Sequence, residues 1–269
     1  RYRRREYDVL RRSVQKGYPK TDLFVTPKDV SDYEAFLAPW FSRISLVPKL
    51  RETRAFAGFS RIRPQIPDTK DSIFNLISRE PKDWLPASVV RGEGLFLELD
   101  ANRLNSWCAD HHEFVGARVD KINKTMSDLR DKRGYGPENI DARFLVVHTL
   151  AHLLINQLIF DCGYGSASLR ERLYCSSDEG DMTGVLIYTA AGDSEGTLGG
   201  LVRFGEPGRF ETVLRRALES ARWCSSDPIC IESEGQGPDN CNLAACHACG
   251  LLPETSCETQ NRFLDRGVL

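Results

Sequence analysis

The sequence predicts an α+β fold, a small mixed sheet packed against helices and closed at its C-terminus by a four-cysteine zinc site. Three observations carry that reading. Gly92–Asp100 alternates apolar and acidic residues at the period of a strand. Ile140–Phe160 is the most apolar stretch of the chain, and its length favours a buried helix over a strand. Six of the nine cysteines, Cys224, Cys230, Cys241, Cys246, Cys249 and Cys257, fall in the last fifty residues.

At 269 residues, with 41% apolar and 28% charged residues, the chain has the composition of a soluble globular protein able to bury a core. No apolar run reads as a membrane span, and Arg1-Tyr2-Arg3-Arg4-Arg5 is not a secretory leader. The missing initiator Met leads us to expect a fragment or trimmed product, with parts upstream. The net charge of −2 conceals an asymmetry: residues 1–65 hold 15 Lys and Arg against 7 Asp and Glu, and the remainder is acidic. Such a front half can meet phosphate or an acidic partner, although a solvated helical face has the same composition. Clustered thiols without a secretory leader point to a reducing, cytoplasmic compartment, where they hold metal more often than they pair.

In chain order, Arg1–Lys16 reads as a short basic helix. Ser31-Asp-Tyr-Glu begins like a capping box and predicts a helix through Trp40, with Tyr33, Phe36, Leu37 and Trp40 at helical spacing. The following stretch, to Pro64, interleaves Lys49, Arg51, Arg54, Arg61 and Arg63 with Phe56 and Phe59. That alternation suits a strand pair that binds phosphates and stacks bases, or an amphipathic strand with a polar outer face. Residues 65–90 read as a surface loop with one short helix near Ile73–Ser78, and Leu104–Arg133 as mostly helical. Ser168–Tyr174 and Gly184–Ala190 read as paired core strands, and Phe210–Trp223 as an amphipathic helix that delivers the chain into the cysteines.

Cys246-His-Ala-Cys249 lets two thiolates reach one tetrahedral ion, and Cys224 with Cys230 supplies a second pair across a loop of zinc-site length. Four thiolates fill the coordination sphere, so this Zn²⁺ is structural. Cys241 and Cys257 stand as substitutes or bystanders, and His247 is a weaker candidate. Residues 225–269 carry seven acidic residues against Arg262 and Arg266, which argues that the knot staples the chain end rather than gripping nucleic acid.

His148 and His152, at i and i+4, share one helix face. The spacing is that of a zincin helix, but Thr149 stands where the general-base Glu of HExxH would be. The plain reading is two satisfied histidines packed against the sheet. The sharper one is a metal-dependent nuclease or hydrolase, in which Asp193, Glu195 or Glu171 completes the site and a second metal is present. The glycine-rich loop from Asp193 to Gly200 fits neither GxxxxGK[ST] nor GxGxxG, with Ser194 and Thr197 as phosphate contacts at most.

Several long motifs also carry a resemblance. They are His148-Thr-Leu-Ala-His152, Ser168–Tyr174, Ile187–Gly200 and Ala245–Glu258, followed by Asn261 and Leu264-Asp-Arg266. Arg51–Ile62 and Arg91–Glu98 add to them. Together these stretches resemble the C-terminal zinc-binding domain of the DrmB family, helicase-associated proteins of the DISARM phage-defence system, and are distantly similar to the C-terminal domain of MrfA-type helicases. The resemblance implies a basic region over 1–100 and a DrmB-type zinc-binding domain over 101–269. It also implies a non-catalytic accessory subunit that binds a superfamily 2 helicase, DrmA-like, and helps it hold DNA. The metal ligands carried over are Cys224, Cys230, Cys246 and Cys249, with Cys257 as substitute. Lys49, Arg51, Arg54, Arg61 and Arg63 are the expected DNA contacts, and His148, His152, Asp193, Glu195 and Thr197 form a further face of interest. A protein-interaction module without DNA binding stands beside these readings.

Overall fold

The computed structural model describes residues 2–12, 22–56, 58–59, 75–77, 80, 82–134, 136, 139–176, 182–189 and 200–269. A five-stranded sheet organises them, built from β1 (Phe24–Lys28), β2 (Phe41–Ala55), β5 (Ala87–Leu99), β6 (Leu169–Ser176) and β7 (Met182–Thr189) in the order β1-β2-β5-β7-β6. A two-residue pair, β3 (Gly58–Phe59) with β4 (Asn75–Leu76), stands apart from it. Every pairing is antiparallel, so the sheet is not mixed. It also draws strands from both sides of residue 100. β2 and β5 run together from Phe41 opposite Leu99 to Ala55 opposite Ala87. β6 and β7 form a hairpin from Leu169 opposite Thr189 to Ser176 opposite Met182.

Alternation along these strands supplies two apolar faces. Leu95, Leu97, Leu99, Leu169, Leu173, Val185 and Ile187 join the main core with helix α4 (Ala142–Cys162) and helix α6 (Phe210–Ala221). Phe96, Tyr174, Leu186 and Tyr188 instead meet Tyr7 and Leu10 of helix α1 (Tyr2–Leu10), in three layers. β7 is therefore buried along its whole length. Each Leu, Ile or Phe so enclosed contributes roughly 1.5–3 kcal/mol of transfer free energy.

α4 starts where the Asp141 carboxylate accepts from the Phe144 amide at 2.8 Å, and ends at Gly163, whose left-handed φ of 71° suits a residue without a side chain. Contrary to the expectation from the sequence, it is long and apolar enough to cross a membrane, but 67% of its most apolar window is buried within this fold as the core helix. Helix α2 (Ala101–Asp110) and helix α3 (His112–Arg133) precede it, α3 burying Val115, Val119, Ile122, Met126 and Arg130 at helical spacing. A short helix α5 (Gly200–Phe204) follows the sheet. Its Leu201 amide donates to the buried Glu93 carboxylate at 2.8 Å.

Two sequence expectations change. Ser31–Trp40 is a single 3-10 turn, Val30–Asp32, followed by turns. Asp29, not Ser31, caps it by accepting from the Ser31 amide, and Pro39 disfavours helix at Ala38. Near Ile73–Ser78, Asn75–Leu76 is extended, because its backbone pairs with Gly58–Phe59.

Candidate metal centres

The segment after α6 folds back on itself with little regular structure, and four thiols meet inside it. Cys224 and Cys246 lie 3.5 Å apart, Cys230 and Cys249 3.7 Å, and Cys246 and Cys249 3.8 Å. Four thiolates about 2.3 Å from one tetrahedral zinc stand about 3.8 Å from each other, so these three separations match edges of that tetrahedron, and all four sulfurs lie within 4.8 Å of one another. None of the nine cysteines forms a disulfide. Amide groups point at the sulfurs: Ser226 N–H donates to Cys224 Sγ at 3.4 Å, Ala248 N–H to Cys246 Sγ at 3.4 Å, and Cys246 N–H to Cys249 Sγ at 3.3 Å. Such donors favour thiolate over thiol. Burial pushes the Cys230 and Cys249 thiols up and works against Cys246 too, yet there the Ala248 amide and the neighbouring thiols bring the pKa down to about 7. The donor set and its spacing fit a structural zinc, with every coordination position taken by the protein.

Cys241 is a bystander to this quartet: it is fully buried in the main core, with its Sγ 3.5 Å from the Asp239 carbonyl. Cys257 is not a substitute ligand either. The chain carries it away from the quartet to α4, where its Sγ lies 3.4 Å from His148 Nε2.

There a second constellation forms. His148 and His152, one turn apart on α4, face Glu171 of β6, whose side chain lies on the same face of the strand as those of Leu169 and Leu173. Glu171 Oε1 lies 3.1 Å from His148 Nε2 and 3.6 Å from His152 Nε2. His148, His152, Glu171 and Cys257 are all buried, and their donor atoms lie within 4.8 Å of one another. Burial alone would raise the Glu171 pKa; the two imidazoles hold it well below the usual carboxylate range instead. Burial likewise opposes charge on His152, while Glu171 raises its pKa. The histidines are thus only half satisfied by backbone. His148 Nδ1 lies 3.1 Å from the Phe263 carbonyl and His152 Nδ1 2.7 Å from the Gly250 carbonyl. Gly250, the residue after the CxxC, has no room for a side chain, since a Cβ there would come within 2.9 Å of that of Ala245.

The chain end is stitched down between the two centres. The Asp265 amide donates to Thr149 Oγ1 at 3.1 Å, and the fully buried Asp265 carboxylate pairs with Arg118 and accepts from the Gly267 amide at 2.9 Å. Arg266 donates to the Ala221 carbonyl at 2.7 Å and pairs with Asp227.

Similarity to known proteins fits this geometry. Residues 150–250 match the MrfA Zn-binding domain, a span that contains all four cysteines of the quartet. The full length aligns further. The chain is 35% identical over 268 residues, 98% of its length, to the DISARM protein DrmB of Bacillus paralicheniformis. It is similar to DrmB. The alignment covers 46% of that relative, so the chain spans a little under half of the length of DrmB. His148 and Cys257 fall just outside the matched zinc-binding span, one at each edge.

Of the expected DNA contacts, Arg51 pairs with Asp22 at 2.6 Å, Arg54 with Glu52 at 2.7 Å, and Lys49 lies over the Phe24 ring at 5.2 Å. Arg61 and Arg63 lie outside the described residues, as do Asp193, Ser194, Glu195 and Thr197. Cys257, expected as a substitute for a member of the quartet, lies instead with His148, His152 and Glu171. Glu171 was one of three acidic candidates, and its inward position follows from the alternation of β6.

Proposed function

We propose that this chain is part of an accessory subunit of bacterial antiphage defence that works in the cytoplasm with a superfamily 2 helicase and helps it hold DNA. The alignment to DISARM protein DrmB over 98% of the chain carries this reading. The four-cysteine centre, with Cys224, Cys230, Cys246 and Cys249 as ligands, serves it as a structural clasp, because four thiolates leave no position for substrate. Zinc bound there would supply folding energy and no reaction chemistry.

The DNA-facing surface is the edge around β2. Arg51 stands directly opposite Arg91 in the β2–β5 register, an arrangement of like charges that costs stability unless an anion lies between them. Asp22 fills that role within the chain: its pKa is lowered by its hydrogen bond to Arg51 and by the charges of Arg51, Lys49 and Arg91. We read the Asp22 carboxylate, bonded to Arg51 and in the field of Lys49 and Arg91, as a stand-in for a backbone phosphate. Arg54, Arg61 and Arg63 extend the same basic run. The partner-facing surface lies on the cysteine-rich segment, where Trp223 is 70% and Ile229 81% exposed.

The test is a titration of the chain, alone and with its helicase, against a DNA duplex and a single strand over a range of salt. Changing Arg51, Arg54, Arg61 and Arg63 to Ala should weaken binding for all sequences and reduce the salt slope by roughly 1 for each phosphate that is no longer neutralised. An unchanged slope removes this edge from the function.

A further inference from the structure

We propose that His148, His152, Glu171 and Cys257 hold a second metal ion, a divalent zinc that is structural and closed to substrate. The spacing of the donors is the first argument. Zinc bonded to nitrogen and oxygen at about 2.0–2.1 Å and to sulfur at about 2.3 Å sets tetrahedral edges of about 3.3–3.6 Å. The observed separations are 3.1 Å and 3.6 Å from the two Nε2 atoms to Glu171 Oε1, and 3.4 Å from His148 Nε2 to Cys257 Sγ.

The outer contacts are the second argument. Each imidazole gives its Nδ1–H to a backbone carbonyl, of Phe263 or Gly250, which leaves both Nε2 lone pairs directed inward. That tautomer is the one a metal-bound histidine adopts. The Thr259 and Asn261 amides donate to Cys257 Sγ at 3.4 Å and 3.2 Å, as expected around a thiolate, and the Glu258 amide donates to Glu171 Oε1 at 3.2 Å.

Unmet polar groups are the third. His152 Nε2 and Glu171 Oε2 are buried and have no hydrogen-bond partner among the described residues. Two inward lone pairs, a carboxylate and a thiol, all buried, form a poor hydrogen-bond network. One cation satisfies them together. Two neutral imidazoles, a carboxylate and a thiolate sum to a charge of −2, which a divalent ion cancels. Mixed nitrogen, oxygen and sulfur donors in a tetrahedron suit zinc. His148, His152 and Glu171 are at most 2% exposed and Cys257 7%, so the ion has four protein ligands and no open face. This separates it from a hydrolytic centre.

X-ray absorption on the intact chain, equilibrated with zinc and freed of excess, tests the proposal together with metal analysis. Two zinc ions per chain are expected, with an average shell of about 2.5 sulfur and 1.5 nitrogen or oxygen neighbours, the mean of a four-sulfur and a one-sulfur site. His152→Ala should lower the content to one ion and shift the shell to sulfur alone. One zinc in an all-sulfur shell for the unaltered chain, or two ions retained in His152→Ala, would overturn it. Because the unaltered protein gives the first result, a variant that fails to fold leaves the decision intact.

Discussion

The two centres differ in how they are built. The cysteine quartet is local: its ligands all fall between Cys224 and Cys249, on turns whose own amides reach the sulfurs. The histidine centre gathers α4, β6 and the chain end, from His148 to Cys257, and exists only once sheet and helix have packed. A local centre can order itself when metal arrives. A distributed one is ordered by the fold and in return ties its parts together.

Chelation probes that contrast with the largest effect. Structural zinc of the local kind is worth about 10–16 kcal/mol in small zinc modules, so removing metal should open residues 224–269 while the central sheet keeps its amide protection. Hydrogen exchange followed by mass spectrometry reads this directly. Simultaneous loss of the sheet would mean that the two parts fold as one unit, and the contrast would fail.

A smaller effect belongs to Asp265, which anchors the end between the centres without touching a metal. Asp265→Ala leaves the partly buried Arg118 without its carboxylate and should cost about 3–5 kcal/mol in urea unfolding, with metal content unchanged. A change below about 1 kcal/mol would show that the metals alone hold the end. The smallest effect is expected at Cys241, whose replacement by Ser should cost a modest core penalty of about 1–3 kcal/mol and leave the zinc content as it was. A lost equivalent of zinc would place Cys241 in the quartet.

What could be read in advance follows the same division. The CxxC and the Cys224/Cys230 pair were legible because their meaning lies in spacing, as were α4 and the β6–β7 hairpin from their apolar patterns. His148 and His152 were legible as a pair that an acidic residue, Glu171 among them, could complete, but Cys257 was not legible as their neighbour, because it reaches them only through the course of the chain end. Spacing also misled where a local rule competed with another. The Ser31 capping box looked sufficient for a helix, but Pro39 interrupts the segment, and Tyr33 and Leu37 bury themselves from turns, with the Tyr33 hydroxyl donating to the Gly205 carbonyl at 2.7 Å. The basic run of β2 was legible as charge. That Asp22 answers Arg51 was not, since it comes within reach only when the chain around β1 is laid alongside β2, whereas Glu52 stands two residues from Arg54 on the same strand.

The Gly250 carbonyl gives the two centres a common hinge. It follows Cys249 by one residue and fixes the ring of His152, so ordering the CxxC turn also presets the tautomer of a ligand in the other centre. Binding at one site is thereby linked to binding at the other, and the coupling has the same size in either direction. Metal that orders the CxxC turn should therefore favour the ligand geometry of the histidine centre as well.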